Sequence, residues 1–160
     1  MVGGSGQLRW LNAEEMRAWR AYVVGKELLD AQLNRDLQEE HQLALADYEV
    51  LVRLSEAPEG QVRMSTLAAQ VASSKSRISH QVGRMEKAGL VRRQEAPGDR
   101  RGVFAVLTNH GQEVLRSAAP THVRGVRDNL IDLISDQEKL VIAEVFERLM
   151  SHLRGQQSTP

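Results

Sequence analysis

The feature that most constrains the fold is one break in an otherwise helical pattern, between residues 90 and 107. Leu90 to Gln94 and Gly102 to Leu107 are short extended runs, separated by the turn-rich run Glu-Ala-Pro-Gly-Asp-Arg-Arg. Two such runs around a turn predict a β-hairpin. On both sides of it, apolar residues recur at the spacing of amphipathic helices. The chain is therefore predicted to be mainly α-helical, with one small β-hairpin.

Capping residues indicate where the long helices begin. Capping-box spacing at residues 12–15 predicts a first helix that continues to about Glu40, and the same spacing at residues 135–138 opens the last helix. Thr108 is the predicted cap of another long helical stretch. Pro120 should kink that stretch or divide it in two, because proline lacks a backbone N–H and its ring crowds the preceding turn.

Three shorter helices are predicted between the first helix and the hairpin. A turn at residues 57–60 follows the first of them, and Ser65 is the predicted cap of the second. Ser73 or Ser74 caps the third, and Gly89 suits the left-handed position that ends it. The three helices are expected at about residues 45–55, 66–71 and 75–88.

Charge is distributed unevenly along a chain whose formal net charge is zero. Residues 62–104 hold nine arginines and lysines against three acidic residues, a net charge of +6, which the remainder of the chain balances. A basic block inside an acidic remainder is typical of a surface that binds a polyanion. Charge runs also occur on ordinary solvated faces, so the charge pattern alone leaves both interpretations open.

The third short helix has two contrasting sides. At about 100° per residue, Ile78, Val82 and Met85 fall on one apolar side. The opposite side is short and polar, and Gly83 leaves room there for a close approach. A surface that enters the major groove needs donors and acceptors without bulk. A solvent-exposed face would also be polar, but Glu86, at its margin, is the only acid, whereas surface helices usually mix both signs.

The tip of the hairpin is the second candidate contact. Arg100 and Arg101 follow the turn formed by Pro97 and Gly98, where a loop projects. Arginine is favoured in a narrow minor groove by its enhanced negative potential. Asp99 can hold a guanidinium in position through a charge-assisted hydrogen bond. An ordinary exposed turn is the alternative. Two short helices followed by a basic hairpin predict a winged helix-turn-helix.

These residues resemble the MarR family of bacterial transcriptional regulators from about Trp10 to Leu153. The agreement is sharpest in three runs, Met85-Glu-Lys-Ala-Gly-Leu-Val-Arg-Arg, Asp99-Arg-Arg, and Leu107-Thr-Asn-His-Gly111. The resemblance implies a winged helix-turn-helix flanked by N- and C-terminal dimerisation helices, a minor-groove role for Arg101 and an orienting role for Asp99. The chain departs from the family at Ala44, where a threonine or serine helix cap is usual.

The predicted function is sequence-specific binding of double-stranded DNA by a homodimer. It is expected to act as a repressor on a pseudo-palindromic operator and to be released by a small-molecule ligand. The polar helix face, the N-terminus of that helix and the hairpin tip supply the predicted contacts. They are Ser74, Lys75, Ser76, Arg77, Ser79, His80, Arg84, Lys87, Asp99, Arg100 and Arg101. The alternative is a winged-helix module that binds protein rather than DNA, on which apolar residues would be expected at the hairpin tip.

Dimerisation is predicted from the terminal helices as well as from the resemblance. Their apolar stripes exceed what a DNA-binding core could cover, so a monomer would expose a large apolar patch. The residues of these stripes are Met16, Trp19, Val23, Leu140, Val145, Leu149 and Leu153. The alternative is that both termini fold back onto one core.

Family members often bind small aromatic or phenolic anions where the dimerisation helices meet the DNA-binding lobe, and the resemblance implies a similar effector site here. Candidate residues are Trp19, Arg20, Tyr22, Tyr48 and His122. Trp19 and Tyr48 are predicted in the first place to be plain core aromatics.

Other classes of protein are disfavoured. The sequence has no cysteine, which excludes disulfide, thiol and cysteine-ligated metal chemistry, including the peroxide-sensing mechanism of one MarR branch. The histidines form no i, i+4 pair, so no metal site is predicted. No phosphate-binding loop, dinucleotide fingerprint or nucleophile motif is present, and neither an enzyme nor a cofactor is expected. Without an apolar span or a secretory signal, a cytoplasmic protein without a membrane partner, nucleoid-associated when bound, is expected.

The expected organisation has five parts. Glycine-rich residues 1–7 are treated as a disordered arm or an expression scar, and residues 155–160 as a disordered tail. Between them we expect an N-terminal dimerisation helix at 8–42, the DNA-binding lobe at 43–107, and C-terminal dimerisation helices at 108–154.

Overall fold

The computed structural model describes residues 8–71, 73–96 and 99–157. These residues form six α-helices, three β-strands and two short 3₁₀ turns, which confirms a mainly helical fold with a small wing. The helices are α1 (Ala13–His41), α2 (Leu45–Glu56), α3 (Met64–Gln70), α4 (Lys75–Lys87), α5 (Asn109–Asn129) and α6 (Asp136–Gln157). The strands are β1 (Gln61–Arg63), β2 (Val91–Ala96) and β3 (Asp99–Leu107), and the 3₁₀ turns are Pro58–Gly60 and Ile131–Leu133.

The predicted caps of the long helices are confirmed. Asn12 Oδ1 accepts a hydrogen bond from the Glu15 N–H, and the Glu15 carboxylate accepts one from the Asn12 N–H, each at 2.9 Å. Ser135 and Glu138 exchange the same pair of bonds before α6. Thr108 Oγ1 accepts from the Gly111 N–H at 2.9 Å. Side-chain caps of this kind satisfy N–H groups that have no partner within the helix.

The absent cap at Ala44 is replaced from another helix. Ala44 makes no side-chain cap to α2. Asn34 of α1 lies beside this helix end, and its Oδ1 accepts a hydrogen bond from the Leu45 N–H at 3.0 Å. The departure from the family pattern therefore leaves this first-turn donor satisfied.

One prediction around the helix-turn-helix is wrong, and one strand there was not predicted. Ser65 does not cap α3, which begins at Met64 after Arg63 without a side-chain cap. The unpredicted strand is β1, whose three residues are too few to show an alternating pattern. β1 pairs with β3, Val62 opposite Ala105, so the chain enters α3 directly from a strand. The sheet is antiparallel in the order β1-β3-β2, and the predicted hairpin is its β2-β3 part.

Pro120 does not divide α5, which is helical from Asn109 to Asn129. Pro120 is exposed, whereas its neighbours Ala118 and Thr121 are buried. Burial of these neighbours thus keeps α5 continuous although Pro120 cannot donate a backbone hydrogen bond. α6 also ends later than predicted, at Gln157 instead of 154.

The core lies between α2, α3, α4 and the sheet, and the C-terminal half of α1 and α5 close it. The predicted inner side of α4, Ile78, Val82 and Met85, is fully buried in it. α5 approaches α1 closely at Gly125, where an added Cβ would lie 2.7 Å from Leu33 Cδ2. A larger residue at 125 would push the two helices apart.

The N-terminal half of α1 and the whole of α6 lie outside this core. Trp19 is 55% exposed, so the interpretation of Trp19 as a core aromatic is wrong for the single chain. A tilted contact of Tyr22 with Phe146, at 5.4 Å between ring centroids, joins α1 to α6. Large apolar side chains remain exposed along α6, namely Leu140, Val141, Ile142, Val145, Leu149, Met150 and Leu153. None of the helices in the described ranges is both long and apolar enough to cross a bilayer.

Candidate nucleic-acid interface

The structure brings most of the predicted helix contacts to one exposed face of α4. Ser74 begins the helix, and its Oγ accepts from the Arg77 N–H at 3.2 Å. Because the apolar side of α4 is buried, the opposite side faces solvent. Ser76, Arg77, His80 and Lys87 are exposed there, with Ser74 and Lys75 exposed at the helix start. Gly89 ends this segment with φ +73°, as predicted.

One flank of α4 is tied to α2. Gln81 Nε2 donates to the Ala46 carbonyl at 2.8 Å and to Asp47 Oδ1 at 2.9 Å. Arg84 Nη2 approaches the same Asp47 oxygen at 3.4 Å, and its side chain remains 68% exposed. Arg84 is therefore oriented by α2 and still available to an anion.

The other flank of α4 is tied to the wing by Arg93, a residue that the sequence analysis did not single out. Arg93 Nη2 donates to the Ser79 carbonyl at 2.6 Å and lies 3.3 Å from Ser79 Oγ. Ser79, a predicted DNA contact, is thus exposed at the wing side of α4, where it is bonded to Arg93. Arg93 also borders the space that Gly83 leaves on α4, since its Nη2 would lie 3.6 Å from an added Cβ. Arg93 belongs to the basic block and to the run from Met85 that resembles the MarR family, and neither pattern sets it apart from its neighbours.

The tip of the wing is described only in part. Pro97 and Gly98 lie outside the described residues, as do the side chains of Asp99, Arg100 and Arg101. The backbone of the strands shows Glu95 opposite Val103 but Ala96 opposite Asp99, so the register shifts between them. Residues 100–102 therefore belong to an irregular part of β3 next to the turn.

A basic cleft of about 400 Å³ lies between α3, the start of α4 and the wing. Among the side chains that the structure describes, the cationic lining residues are Arg63, Lys75 and Arg93, and none of the lining residues is acidic. Arg63 stacks over the ring of Phe104, 5.2 Å from its centroid. The cleft extends the positive surface of α4 toward the wing.

The effector candidates separate into two aromatic pairs. Tyr48 and His122 stack with their ring centroids 4.5 Å apart, which joins α2 to α5. Tyr48 is buried, as predicted, and burial raises the pKa of its hydroxyl and lowers the pKa of His122. Trp19 contacts Tyr22 at 5.9 Å, on the α1 side that faces α6. Among the described residues no ring contact joins the two pairs, and Arg20 is exposed and forms no ion pair or side-chain hydrogen bond with them.

A polar network links the end of α1 to α5 near the first pair. Thr121 is 4% exposed; its Oγ1 donates to Glu40 Oε2 and shares a hydrogen bond with His41 Nε2, both at 2.8 Å. Arg124 forms an ion pair with the other oxygen of Glu40. Thr121 and Arg124 keep the pKa of the Glu40 carboxyl below its ordinary value. Within the described ranges, no three His, Asp or Glu side chains cluster as metal ligands would.

Comparisons with known proteins agree with this architecture. A model of the MarR family matches residues 41–102, which hold the helix-turn-helix and most of the wing. AbsC, a MarR family transcriptional regulator from Streptomyces coelicolor, is 47% identical, with a TM-score of 0.86 over 92% of this chain and 99% of AbsC. Sco3205, another MarR family regulator from that organism, solved in complex with DNA, is 40% identical, with a TM-score of 0.88 over 93% of each chain.

Two more distant relatives are also transcriptional regulators. Transcriptional regulator HosA of Escherichia coli O111:H- is 28% identical over 68% of this chain and 78% of HosA. The regulator PecS of Dickeya dadantii is 27% identical over 79% of this chain and 75% of PecS. MarR family members are DNA-binding regulators and not enzymes. On the strength of its fold and of 47% identity to AbsC over nearly the whole chain, this protein belongs to the MarR family of transcriptional regulators.

Proposed function

We propose that this protein is a sequence-specific DNA-binding repressor that binds a pseudo-palindromic operator as a homodimer. The observation that carries the proposal is the exposed face of α4. Its exposed side chains are polar or basic, and the nearest acids, Asp47 and Glu86, form ion pairs with arginines at its flanks. A cationic cleft extends this face toward the wing. The DNA complex of Sco3205, at 40% identity, supports the same use of this fold.

In this proposal α4 enters the major groove. Arg77 and His80 reach base edges, where arginine pairs with guanine, while Ser74, Lys75, Ser76, Ser79 and Lys87 supply further polar contacts at the groove. Arg84, at the α2 flank, neutralises a phosphate. Arg100 and Arg101 of the wing enter the neighbouring minor groove, with Asp99 orienting a guanidinium.

The homodimer is supported by the apolar surface of α1 and α6. Seven large apolar side chains are exposed on α6, and Trp19 and Leu28 are exposed on α1. Large exposed apolar patches mark interaction sites. A two-fold dimer through these helices would cover that surface and present two α4 helices about 34–36 Å apart, one turn of DNA.

Repression and ligand release complete the proposal. Transcriptional repressor MprA of Escherichia coli K12, 27% identical over 64% of this chain, supports repression. Tyr48 and His122 lie where the DNA-binding lobe meets α5. A small aromatic or phenolic anion bound beside this pair would contact α2 and α5 together and could change how the lobe sits on α5.

The experiment is selection of bound sequences from a random duplex pool, followed by titration of the selected duplex at several salt concentrations. We expect an inverted repeat and a log–log salt slope between about −5 and −9, for about 6–10 neutralised phosphates per dimer. No enrichment, or a slope shallower than about −2, would contradict DNA binding and favour a protein partner for the wing.

A further inference from the structure

Arg93 connects the two elements that are proposed to contact DNA. It lies on β2 of the wing, and its guanidinium donates to the Ser79 carbonyl on α4 at 2.6 Å. Arg93 also contacts Glu86 on α4. Its backbone N–H donates to Glu86 Oε1 at 2.9 Å, and its Nε lies 3.9 Å from Glu86 Oε2. One residue of the wing thus contacts α4 at two points, two helical turns apart.

The backbone bond depends on the position of β2 in the sheet. β2 is an outer strand, since the order is β1-β3-β2. An N–H on the open side of an outer strand has no strand partner. Glu86 accepts the Arg93 N–H there, so the carboxylate joins the edge of the wing to α4.

The negative charge of Glu86 is unfavourable on a surface that is proposed to bind DNA. It is the only acidic residue of α4, on the helix that is proposed to enter the DNA groove. Its side chain is 40% exposed, so a negative charge at this margin would repel phosphate. Its bonds to Arg93 give a reason for a carboxylate at this position.

Gly83 leaves the space that Arg93 uses. It lies on α4 one turn after Ser79, and an added Cβ would be 3.6 Å from Arg93 Nη2, an ordinary contact distance. Alanine therefore fits, but a longer side chain would occupy the space of the guanidinium. Ser79, Gly83 and Glu86 together form the surface of α4 against which Arg93 packs.

We propose that Arg93 is a positioning residue for DNA recognition, which fixes the wing relative to α4 through Ser79 and Glu86. The inference rests on the proposed function and deepens it. With this link, the α4 face and the wing tip reach adjacent grooves of one site in a fixed relation. Without it, each element still attracts phosphate, but the pair no longer fits the operator as a unit.

The test compares variants on two duplexes, the one that the wild type enriches from a random pool and a scrambled duplex of equal composition. Arg93→Ala is expected to lower affinity for the selected duplex about tenfold and to leave the scrambled duplex much less affected. Arg92→Ala is the matched control. Arg92 is the exposed neighbour on the same strand, its guanidinium bonds to Gln94 within β2, and its loss removes the same charge. We expect this control to weaken both duplexes alike.

Glu86→Ala gives a test of sign. Removal of a negative charge should tighten binding to both duplexes by electrostatics alone. Positioning predicts the opposite for the selected duplex. Because Arg93→Ala keeps the backbone N–H that Glu86 accepts, the double variant Arg93→Ala/Glu86→Ala should bind the selected duplex more weakly than Arg93→Ala. Tighter binding of Glu86→Ala to the selected duplex would overturn the proposal.

Two further outcomes separate the alternatives. If Arg93→Ala weakened both duplexes equally and reduced the salt slope by about one, Arg93 would be a direct phosphate contact and the proposal would be wrong. Thermal unfolding checks that each variant is folded. Should Arg93→Ala unfold, Arg93→Lys carries the same test, because it keeps the charge but lacks the planar guanidinium that contacts Ser79. If the wild type enriches no duplex, the proposed function fails and the inference fails with it. Selective wild-type binding with full discrimination by Arg93→Ala overturns the inference alone.

Discussion

The ring of His122 on α5 lies against the ring of Tyr48 on α2, with an interplanar angle of 27°. The stack is half-buried on the histidine side and buried on the tyrosine side. It joins a helix of the DNA-binding lobe to the long helix that leads out of it. A change in the charge of His122 would therefore act at the junction of these two parts.

His122 should make stability depend on pH. Burial lowers the pKa of its imidazole, so the unfolded chain binds this proton more readily than the folded one. The stabilising contribution is present above the unfolded pKa of about 6.5 and is lost as pH falls through the folded pKa. We expect the melting temperature to fall on acidification, and His122→Gln to reduce the part of that fall due to His122. His80→Gln, which changes an exposed histidine, is the control; an unchanged profile in His122→Gln would contradict the assignment.

The hydroxyl of Thr121 should contribute measurably to stability. Thr121→Val keeps the volume but removes the hydrogen bonds to Glu40 and His41. We expect a loss of about 1–2 kcal/mol in the free energy of unfolding, because both partners can regain water. Thr121→Ser, which keeps the hydroxyl, should lose less of this hydrogen-bond contribution. Urea denaturation of the three proteins measures the difference, and equal stability of Thr121→Val and wild type would show that the network is neutral.

A charge on the apolar side of α6 should disrupt the dimer. Leu149 is an exposed member of that apolar surface, and Leu149→Glu would place a carboxylate in the proposed interface. We expect light scattering to give about the mass of one chain, or the variant to unfold, with DNA binding lost in either case. Glu147→Lys alters charge on the opposite side of the same helix and should leave the mass at two chains. A wild type that is a stable, folded monomer would refute the dimer.

Specific and non-specific contacts should separate on α4. Arg77→Ala and His80→Ala are expected to cost about 1–3 kcal/mol of binding free energy and to relax preference at particular base pairs. Arg84→Ala should weaken all sequences alike, since its guanidinium lies at the α2 flank beside Asp47. Titrations against a set of mutated operators measure this. Identical profiles for His80→Ala and Arg84→Ala would show that the two faces are wrongly assigned.

Arg101 of the wing remains the strongest single prediction from the sequence. Arg101→Ala should weaken binding to specific and non-specific DNA, more on A·T-rich than on G·C-rich flanks, because a narrow minor groove attracts arginine. Stability should change by less than about 0.5 kcal/mol, as is usual for exposed turns. Arg101→Lys should rescue poorly, since an ammonium lacks the planar fork, and Asp99→Ala should give a smaller loss. Fluorescence anisotropy on two duplexes with different flanks is the measurement; full-strength binding by Arg101→Ala would place the wing away from DNA.

Local signals predicted much of the fold and of the candidate site. The capping boxes at both terminal helices, the buried side of α4 and the left-handed Gly89 follow from spacing and residue type alone. What escaped depended on contacts between distant segments. β1 exists because β3 pairs with it, and α5 stays continuous at Pro120 because its neighbours are buried. Arg93 could be counted as a basic residue, but its bonds to α4 exist only in the folded chain.

The outer strands of the small sheet have a further consequence for solubility. An open strand edge offers unpaired backbone groups to any other extended chain and invites edge-to-edge aggregation. β1 is only three residues long, and β2 carries four consecutive exposed polar residues from Arg92 to Glu95, three of them charged. Both edges are therefore poor templates for another strand. The wing can therefore stay exposed for binding without promoting aggregation of the protein at high concentration.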